Sequence, residues 1–229
     1  MRNWFRDIID FFFPRLCLVC GRVLMHNEVH ICTHCMVDMP RTHFCKVLDN
    51  AMAQLFYGKL PIERAAAYFY FSKGSDYRLL IHRIKYGGEK ECGNYLGQLF
   101  AREALPHGFF EGIDCIVPVP LHRSKERQRG YNQSEWIAQG IAGETEIELC
   151  DDVLVCTKER ISQTRKGLYE RFLATRDAFE LLPGHNLAGK HVLLVDDVVT
   201  TGATVLACGE ALLKGGVRRI SVATLAAAK

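Results

Sequence analysis

The sequence predicts an α/β protein, a mostly parallel sheet with flanking helices, preceded by a small cysteine-rich unit. Three observations carry this. Beyond residue 60, short apolar runs alternate with amphipathic ones, the order that builds a parallel sheet covered by helices. Residues 191–195, HVLLV, form a nearly unbroken apolar run, as expected of a strand buried on both faces. The first 60 residues instead hold two Cys-x2-Cys pairs, four of the nine histidines and no long periodic segment. The expected division is therefore residues 1–60, an aromatic N-terminal segment and a four-cysteine zinc ribbon, and residues 61–229, the α/β domain.

Taken in order, the elements follow from local pattern. Trp4, Phe5, Ile8, Ile9 and Phe12 recur at helical spacing, which reads as a short helix packed on its own domain or as a docking helix for a partner or membrane surface. Residues 66–71 are strand-like in their aromatic half. Residues 76–86 read as a helix that ends before Gly87-Gly88, and residues 94–105 as another that stops before Pro106. Residues 115–119 are a short apolar strand interrupted and followed by prolines. Residues 133–142 are helical, with Trp136, Ile137 and Ile141 on one side, and residues 153–156 are a candidate strand. After the strand at 191–195, residues 203–213 form a helix closed by Gly215-Gly216, and residues 220–225 the last strand.

Composition narrows the class. Apolar residues make up 48% and charged residues 24% of 229 residues, enough for a core and inconsistent with disorder. The net charge is +3, and residues 122–129 alone carry that much, with Arg123, Lys125, Arg127 and Arg129 against Glu126. The positive charge is thus local and suits a small anion as readily as a polymer. Apolar stretches are too short for a transmembrane helix, and the N-terminus lacks the pattern of a secretory signal, so a cytoplasmic location is expected. A reducing compartment leaves the ten cysteines unpaired. Cys92, Cys115, Cys150, Cys156 and Cys208 read as small buried hydrophobes.

Cys17, Cys20, Cys32 and Cys35 are the expected metal ligands. Zinc prefers four thiolates in a tetrahedron, which two Cys-x2-Cys turns supply, and a closed four-cysteine site is structural. Cys45, His34 and His43 lie near enough in sequence to replace one ligand. The ribbon segment offers seven Lys/Arg against five Asp/Glu, slender support for direct DNA binding.

The chemistry concentrates after the strand at 191–195. Asp196-Asp197 is followed by Val198, Val199, Thr200, Thr201, Gly202, Ala203 and Thr204, opening a helix. Ligands of open α/β sheets sit beyond the carboxyl ends of strands. Backbone N–H groups from Val199 to Ala203, with the hydroxyls of Thr200, Thr201 and Thr204, make a phosphate site at the positive end of the helix dipole. Two carboxylates repel phosphate but accept hydrogen bonds from ribose hydroxyls beside it. A 5-phosphoribosyl group fits this pairing. Residues 184–190 match G-x-x-x-x-G-K, yet His191 stands where Ser or Thr should follow and the segment precedes a strand, so a nucleoside-triphosphatase loop is a decoy. The blandest alternative is a tight turn with surface acids.

Those residues resemble the 5-phosphoribosyl-1-pyrophosphate (PRPP) motif of type I phosphoribosyltransferases. Over nearly its full length the chain resembles the ComF family, linked to competence and use of external DNA. The resemblance rests on the cysteine pairs, the IKYGG run at 84–88, VPVPL at 117–121, RGYNQ at 129–133 and residues 195–204. It implies a type I phosphoribosyltransferase-like fold in which Asp196 and Asp197 hold the ribose and Val199 to Thr204 the 5′-phosphate. It also implies a pyrophosphate loop containing Val119, Pro120 and Leu121, assisted by Arg123, Arg129 and Lys85. Guanidinium forks and a lysine suit pyrophosphate on physical grounds as well. Arg127 and Lys125 are the least favoured cations. Tyr131 either stacks on a base or closes the core. Gln163 and residues 171–179 resemble a further family stretch, with Ala174 where an asparagine is usual.

The implied function is phosphoribosyl transfer from PRPP, with Mg2+, to an acceptor the sequence does not name; no residue stands out as general base. The alternative is a PRPP-binding adaptor that docks competence or DNA-processing proteins, or DNA, through the ribbon.

Overall fold

The computed structural model describes residues 14–72, 74–158 and 178–229. The expectations for the aromatic segment at 1–13 and for Gln163 to Ala174 lie outside the described residues.

The ribbon comes first. Two tight turns present the cysteine pairs, and the short helix α1 (Thr33–Val37) grows directly from the second pair. Glu28 fixes the turn between them: its carboxylate accepts from the backbone N–H of Met25 at 2.8 Å and of Thr33 at 2.6 Å, and from Thr33 Oγ1 at 2.8 Å. The chain then crosses to the short helix α2 (Ala51–Gln54), whose cap is Asn50, with its Oδ1 accepting from Met52 and Ala53. On the way it covers the edge of β1 (Ile62–Phe71). Arg41 bridges Phe69, Tyr70 N–H donates to Pro40 O, and Asn50 Nδ2 donates to Ala65 O. An edge covered in this way does not template pairing with another chain.

Next come α3 (Asp76–Tyr86) and α4 (Lys90–Ala104), then β2 (Cys115–Pro118), α5 (Arg123–Arg129) and α6 (Gln133–Thr145). The short strands β3 (Glu148–Leu149), β4 (Leu154–Cys156) and β5 (Phe179–Leu181) precede β6 (His191–Val199), α7 (Ala203–Lys214) and β7 (Arg219–Ala228). Among the described residues the main sheet runs β1-β7-β6-β2-β3, every pairing parallel, while β4 and β5 form a separate antiparallel pair.

Alternation along the strands sends side chains to two cores. On one face Ile116, Leu193, Val195, Ala223 and Leu225 pack with α3, α4, α6 and the ribbon cysteines. On the other, Val117, Val192, Leu194, Ile220 and Val222 pack with α7, Met52, Phe56 and the β4–β5 pair. Helices α4 and α6 cross closely because Gly97 and Gly140 lack side chains; a Cβ at either would collide with the opposing backbone, at Ile137 O and Asn94 O. Tyr77 OH donates to Cys35 O at 2.7 Å, tying the second cysteine knuckle to α3. No helix among the described residues is long and apolar enough to cross a membrane.

One expectation needs correction. The strand expected at 191–195 continues to Val199, so Asp196 and Asp197 belong to the strand and not to a loop. The cause is pairing: Asp196, Val198 and Val199 lie opposite Thr224, Ala226 and Ala227 of β7. The basic stretch after the prolines is a helix, α5, capped by His122, which accepts from Ser124 N–H. Strands β3 and β5, which no local pattern announces, have too few residues to show a period. The G-x-x-x-x-G-K decoy is the turn from β5 into β6, with Gly184 and Gly189 both at positive φ.

Candidate PRPP site and zinc ribbon

A cleft of about 180 Å3 opens at the carboxyl edge of the parallel sheet. Asp196 and Asp197 line it, with Val119, Pro120 and Leu121 from the loop after β2, Lys85 from α3, Arg129 from α5 and Thr204 from α7. Residues far apart in sequence thus converge where ligands of α/β sheets bind.

The two acids are held differently. Asp196 Oδ1 accepts from Ser134 Oγ at 3.0 Å and from the Asp197 backbone N–H at 2.8 Å. Burial first, then the neighbouring Asp197, pushes the Asp196 carboxyl well above the usual range; Lys85, the Asp197 N–H and Ser134 pull it part of the way back. Asp197 Oδ2 lies 2.9 Å from Lys85 Nζ, with the Asp197 side chain only 4% exposed and that of Lys85 25%. Lys85 is therefore in the cleft, but engaged with an acid.

Helical periodicity sorts the cations of α5. His122, Lys125 and Arg129, spaced three and four apart, face the cleft. Arg123 falls on the outer side and is exposed, as is Arg127. Arg123 is thus not brought to the site, whereas Lys125, least favoured from sequence, lines it. Arg129 is fixed in place: it donates to Gln133 Oε1 at 2.6 Å and to Tyr86 OH at 3.0 Å, with its guanidinium 4.6 Å from the Tyr86 ring centre.

The phosphate segment divides by role. Val199 is buried in the second core, Thr200 and Thr201 are exposed at the turn, and Ala203 begins α7. Gly202 caps that helix at φ 75°, a conformation open to glycine, and a Cβ there would stand 2.8 Å from Phe56 Cε1. No side chain caps α7, whose first N–H groups have no partner within the helix, and of residues 199–204 Thr204 alone is among those lining the cleft.

Sequence reasoning missed Gln133, Cys156 and Phe179, which also line the cleft. Gln133 stands in the RGYNQ run, but nothing in the neighbourhoods of Cys156 and Phe179 marks them, because β4 and β5 form a separate sheet. The RGYNQ run proves architectural at two positions. Tyr131 OH donates to Ile84 O at 2.5 Å, tying the start of α6 to α3. Asn132 caps α6 while its Nδ2 donates to Val119 O at 3.1 Å, which pins the loop after β2.

At the other end, the four cysteine sulfurs of 17, 20, 32 and 35 lie within 4.8 Å of one another. Sulfurs on a zinc tetrahedron stand roughly 3.8 Å apart, given Zn–S bonds of about 2.3 Å, and Cys20 and Cys32 are separated by 3.7 Å. Burial pushes the Cys17 thiol up, but the N–H groups of Cys20, Cys32 and Val19 outweigh it and hold it down to about 7, whereas burial pushes Cys32 and Cys35 up, so those two give up their protons to a metal and not to water. The residues fit structural zinc. The sequence alternatives are spoken for elsewhere: His34 pairs with Asp38 at 3.1 Å and His43 with Glu103 at 3.1 Å, while Cys45 lies outside the cluster.

Fold and site define the class: a phosphoribosyltransferase-type α/β domain behind a zinc ribbon. The family model for the phosphoribosyl transferase domain matches residues 109–229, and that for the double zinc ribbon domain residues 8–59. The chain is 30% identical to the DNA utilization protein YhgH of Salmonella typhimurium strain LT2 over 90% of its length and 88% of that protein. It is 24% identical to the competence protein ComFC of Bacillus subtilis strain 168, over 88% of its own length and 79% of that protein. Among solved structures, TT1426 of Thermus thermophilus aligns with 59% of this chain and 74% of its own at 19% identity, with a TM-score of 0.37. The chain belongs to the ComF family of phosphoribosyltransferase-domain proteins with an N-terminal zinc ribbon.

Proposed function

We propose that the cleft binds PRPP and that the protein transfers its phosphoribosyl group to a nucleophilic acceptor with release of pyrophosphate. The observation that carries this reading is the convergence of Asp196 and Asp197 with Lys85, Lys125, Arg129 and Thr204 on one cleft. The acids accept the ribose hydroxyls. The N–H groups opening α7, with Thr200, Thr201 and Thr204, hold the 5′-phosphate. The cations, and the loop at Val119, Pro120 and Leu121, receive the pyrophosphate.

In the reaction the C1′–O bond breaks and its electron pair leaves with pyrophosphate. An acceptor lone pair, from nitrogen by our reading, then forms the new bond to C1′ on the opposite face. Lys125 and Arg129 stabilise charge that grows on the leaving oxygens, and because Arg129 is already clamped it does so with little reorganisation. Mg2+, carried on the substrate's own oxygens, would add to that charge neutralisation. No protein ligand is assigned to it, since Asp196 and Asp197 already face Ser134 and Lys85. Positioning by the acids supplies much of the remaining acceleration.

The names of the relatives support a role for this activity in competence and DNA utilization. We assign it to the cytoplasm, with residues 61–229 as the catalytic part and residues 1–60 as its zinc-bearing support. Exposed Val23, Met25 and Val37 on the ribbon, 61, 71 and 77% accessible, favour a second role for it as a docking surface for a protein partner.

The test is calorimetry with PRPP and Mg2+ on the wild type and on Asp196→Asn/Asp197→Asn. Loss of binding in a folded variant supports the site, and undiminished affinity rejects it. A screen for pyrophosphate release over bases and amines then separates transferase from adaptor: turnover supports the first, saturable binding without turnover the second.

A further inference from the structure

The ribbon cysteines pack on one face of the sheet, yet the chain that leaves them ends on the other, against α7. Helix α2 is fixed first: Asn50 caps it, and Asn50 Nδ2 donates to Val47 O at 2.7 Å and to Ala65 O of β1 at 2.9 Å. A turn follows, with the N–H groups of Lys59 and Leu60 both donating to Phe56 O at 3.0 Å. This turn directs two side chains into α7. Phe56, fully buried, sets its ring edge against Gly202, where a Cβ would stand 2.8 Å from Cε1 and 3.3 Å from Cζ. Leu60 fills a second notch about two helical turns further on, at Gly209, where a Cβ would collide with its Cδ2. Gly202 O accepts from Leu206 N–H at 2.9 Å, so the residue under the ring also closes the first turn of α7. Thr204, in that turn, lines the cleft.

We propose that Phe56 is a positioning residue for the ligand: from the end of the cysteine-rich N-terminal unit it sets the backbone at Gly202, and through it the turn of α7 that receives the 5′-phosphate. This rests on the reading of the cleft as a PRPP site with the phosphate at the start of α7. No side chain caps that helix, and Gly202 sits at φ 75°, so the helix start takes its placement from what packs on it. Glycine has the widest choice of backbone conformations, and a rigid ring against it selects one. Hydrogen bonds to a phosphate weaken steeply as donors leave their proper distance and angle, so a small shift of this turn is felt by the ligand. Leu60 at Gly209 anchors the middle of α7, which confines the action of Phe56 to the first turn. Arg129, by contrast, is clamped by Gln133 of α6 and Tyr86 of α3, so the pyrophosphate end of the cleft does not depend on the ring.

The experiment measures dissociation constants of ribose 5-phosphate and of pyrophosphate, ligands for the two ends of the cleft, on the full chain. The proteins are wild type, Phe56→Leu, Phe56→Met and Phe109→Leu. Phe56→Met is the milder change, since a flexible thioether fills part of the vacated space. Phe109 is also buried but belongs to the other core, so its truncation loosens the protein without reaching α7. Thermal melting establishes that each variant is folded. We expect Phe56→Leu to weaken ribose 5-phosphate about tenfold and to leave pyrophosphate unchanged, with Phe56→Met between it and wild type. Phe109→Leu should lower the melting temperature and leave both affinities unchanged. Wild-type affinity for ribose 5-phosphate in the folded Phe56 variants overturns the proposal and leaves the PRPP site standing. So does weakening of both ligands alike, or the same weakening in Phe109→Leu. A wild type that binds no ribose 5-phosphate sinks the underlying reading of the phosphate end as well.

Discussion

Ser134 Oγ donates a 3.0 Å hydrogen bond to Asp196 Oδ1 across 62 residues of sequence. Both groups are buried, Ser134 at 1% exposure and Asp196 at 7%. The first turn of α6 thus sets the orientation of an acid on β6, and Asn132, which caps that turn, also holds the loop after β2. One helix start therefore fixes two walls of the cleft.

Ser134→Ala should weaken PRPP binding by about tenfold, the worth of a hydrogen bond to a charged group. Ser134 helps to lower the Asp196 carboxyl, so its loss lets burial raise it further. The acid limb of the affinity profile should accordingly move to higher pH. Calorimetry over a pH series checks both, and an unmoved limb would count against the coupling.

Asp196 also governs stability. Its folded value is raised, chiefly by burial, so the folded state holds the proton more tightly than the unfolded one. That contribution is complete below the ordinary carboxylate range and is lost as pH rises through the raised folded value. Asp196→Asn keeps an oxygen acceptor for Ser134 and removes the buried charge. It should stabilise the ligand-free protein on the alkaline side, on the order of 2 kcal/mol, with little effect in acid. Melting temperatures of the two proteins at acid and alkaline pH provide the comparison; a difference that does not grow with pH would contradict it.

Zinc removal should destabilise more than the ribbon. Cys17, Leu18, Val19, Leu24 and Ile31 share one buried cluster with Leu80, Ile84 and Leu96, and Tyr77 bonds to Cys35 O. Metal-stripped protein, or Cys35→Ser, should therefore melt earlier in a single transition, by about 5 °C or more. Elemental analysis should find about one zinc per chain in the intact protein. A separate ribbon transition with the main one unmoved would show the two parts to be energetically independent.

Gly202→Ala should cost about 1–3 kcal/mol, since it combines positive φ with contact on Phe56. Phe56→Leu in the same chain should recover the steric part and leave the dihedral part. Urea denaturation of the single and double variants separates the two; complete recovery would mean that the backbone carries no strain.

Much of this was legible along the chain. The helix expected at 76–86 has those bounds, because Ser75 caps it and Gly87 ends it, both local devices. The two Cys-x2-Cys turns needed only their spacing, and the acids followed by threonines and Gly202 marked one wall of the cleft, which Asp196, Asp197 and Thr204 line. Less was legible where a short element lacked a period, as in β3 and β5, or where a basic run gave no sign of being helical, as in α5. The resemblance favoured Arg123 over Lys125, and the helix reverses the choice, because residues three and four apart share a face and Lys125 and Arg129 therefore line the cleft together.

Determined by sequence alone were the features written in neighbouring residues: the strand that delivers Asp196 and Asp197, the helix start that follows them, and a thiolate set spaced for zinc. The tertiary structure decided which distant side chains meet those groups. Placing β6 between β7 and β2 set Ser134 on one acid and Lys85 on the other, and the turn of α5 chose which cations see the cleft. Caps, turns and periodicity act over a few residues and leave their mark there, whereas the partner of a buried charge is settled by strand order and helix packing, which no short window of sequence contains.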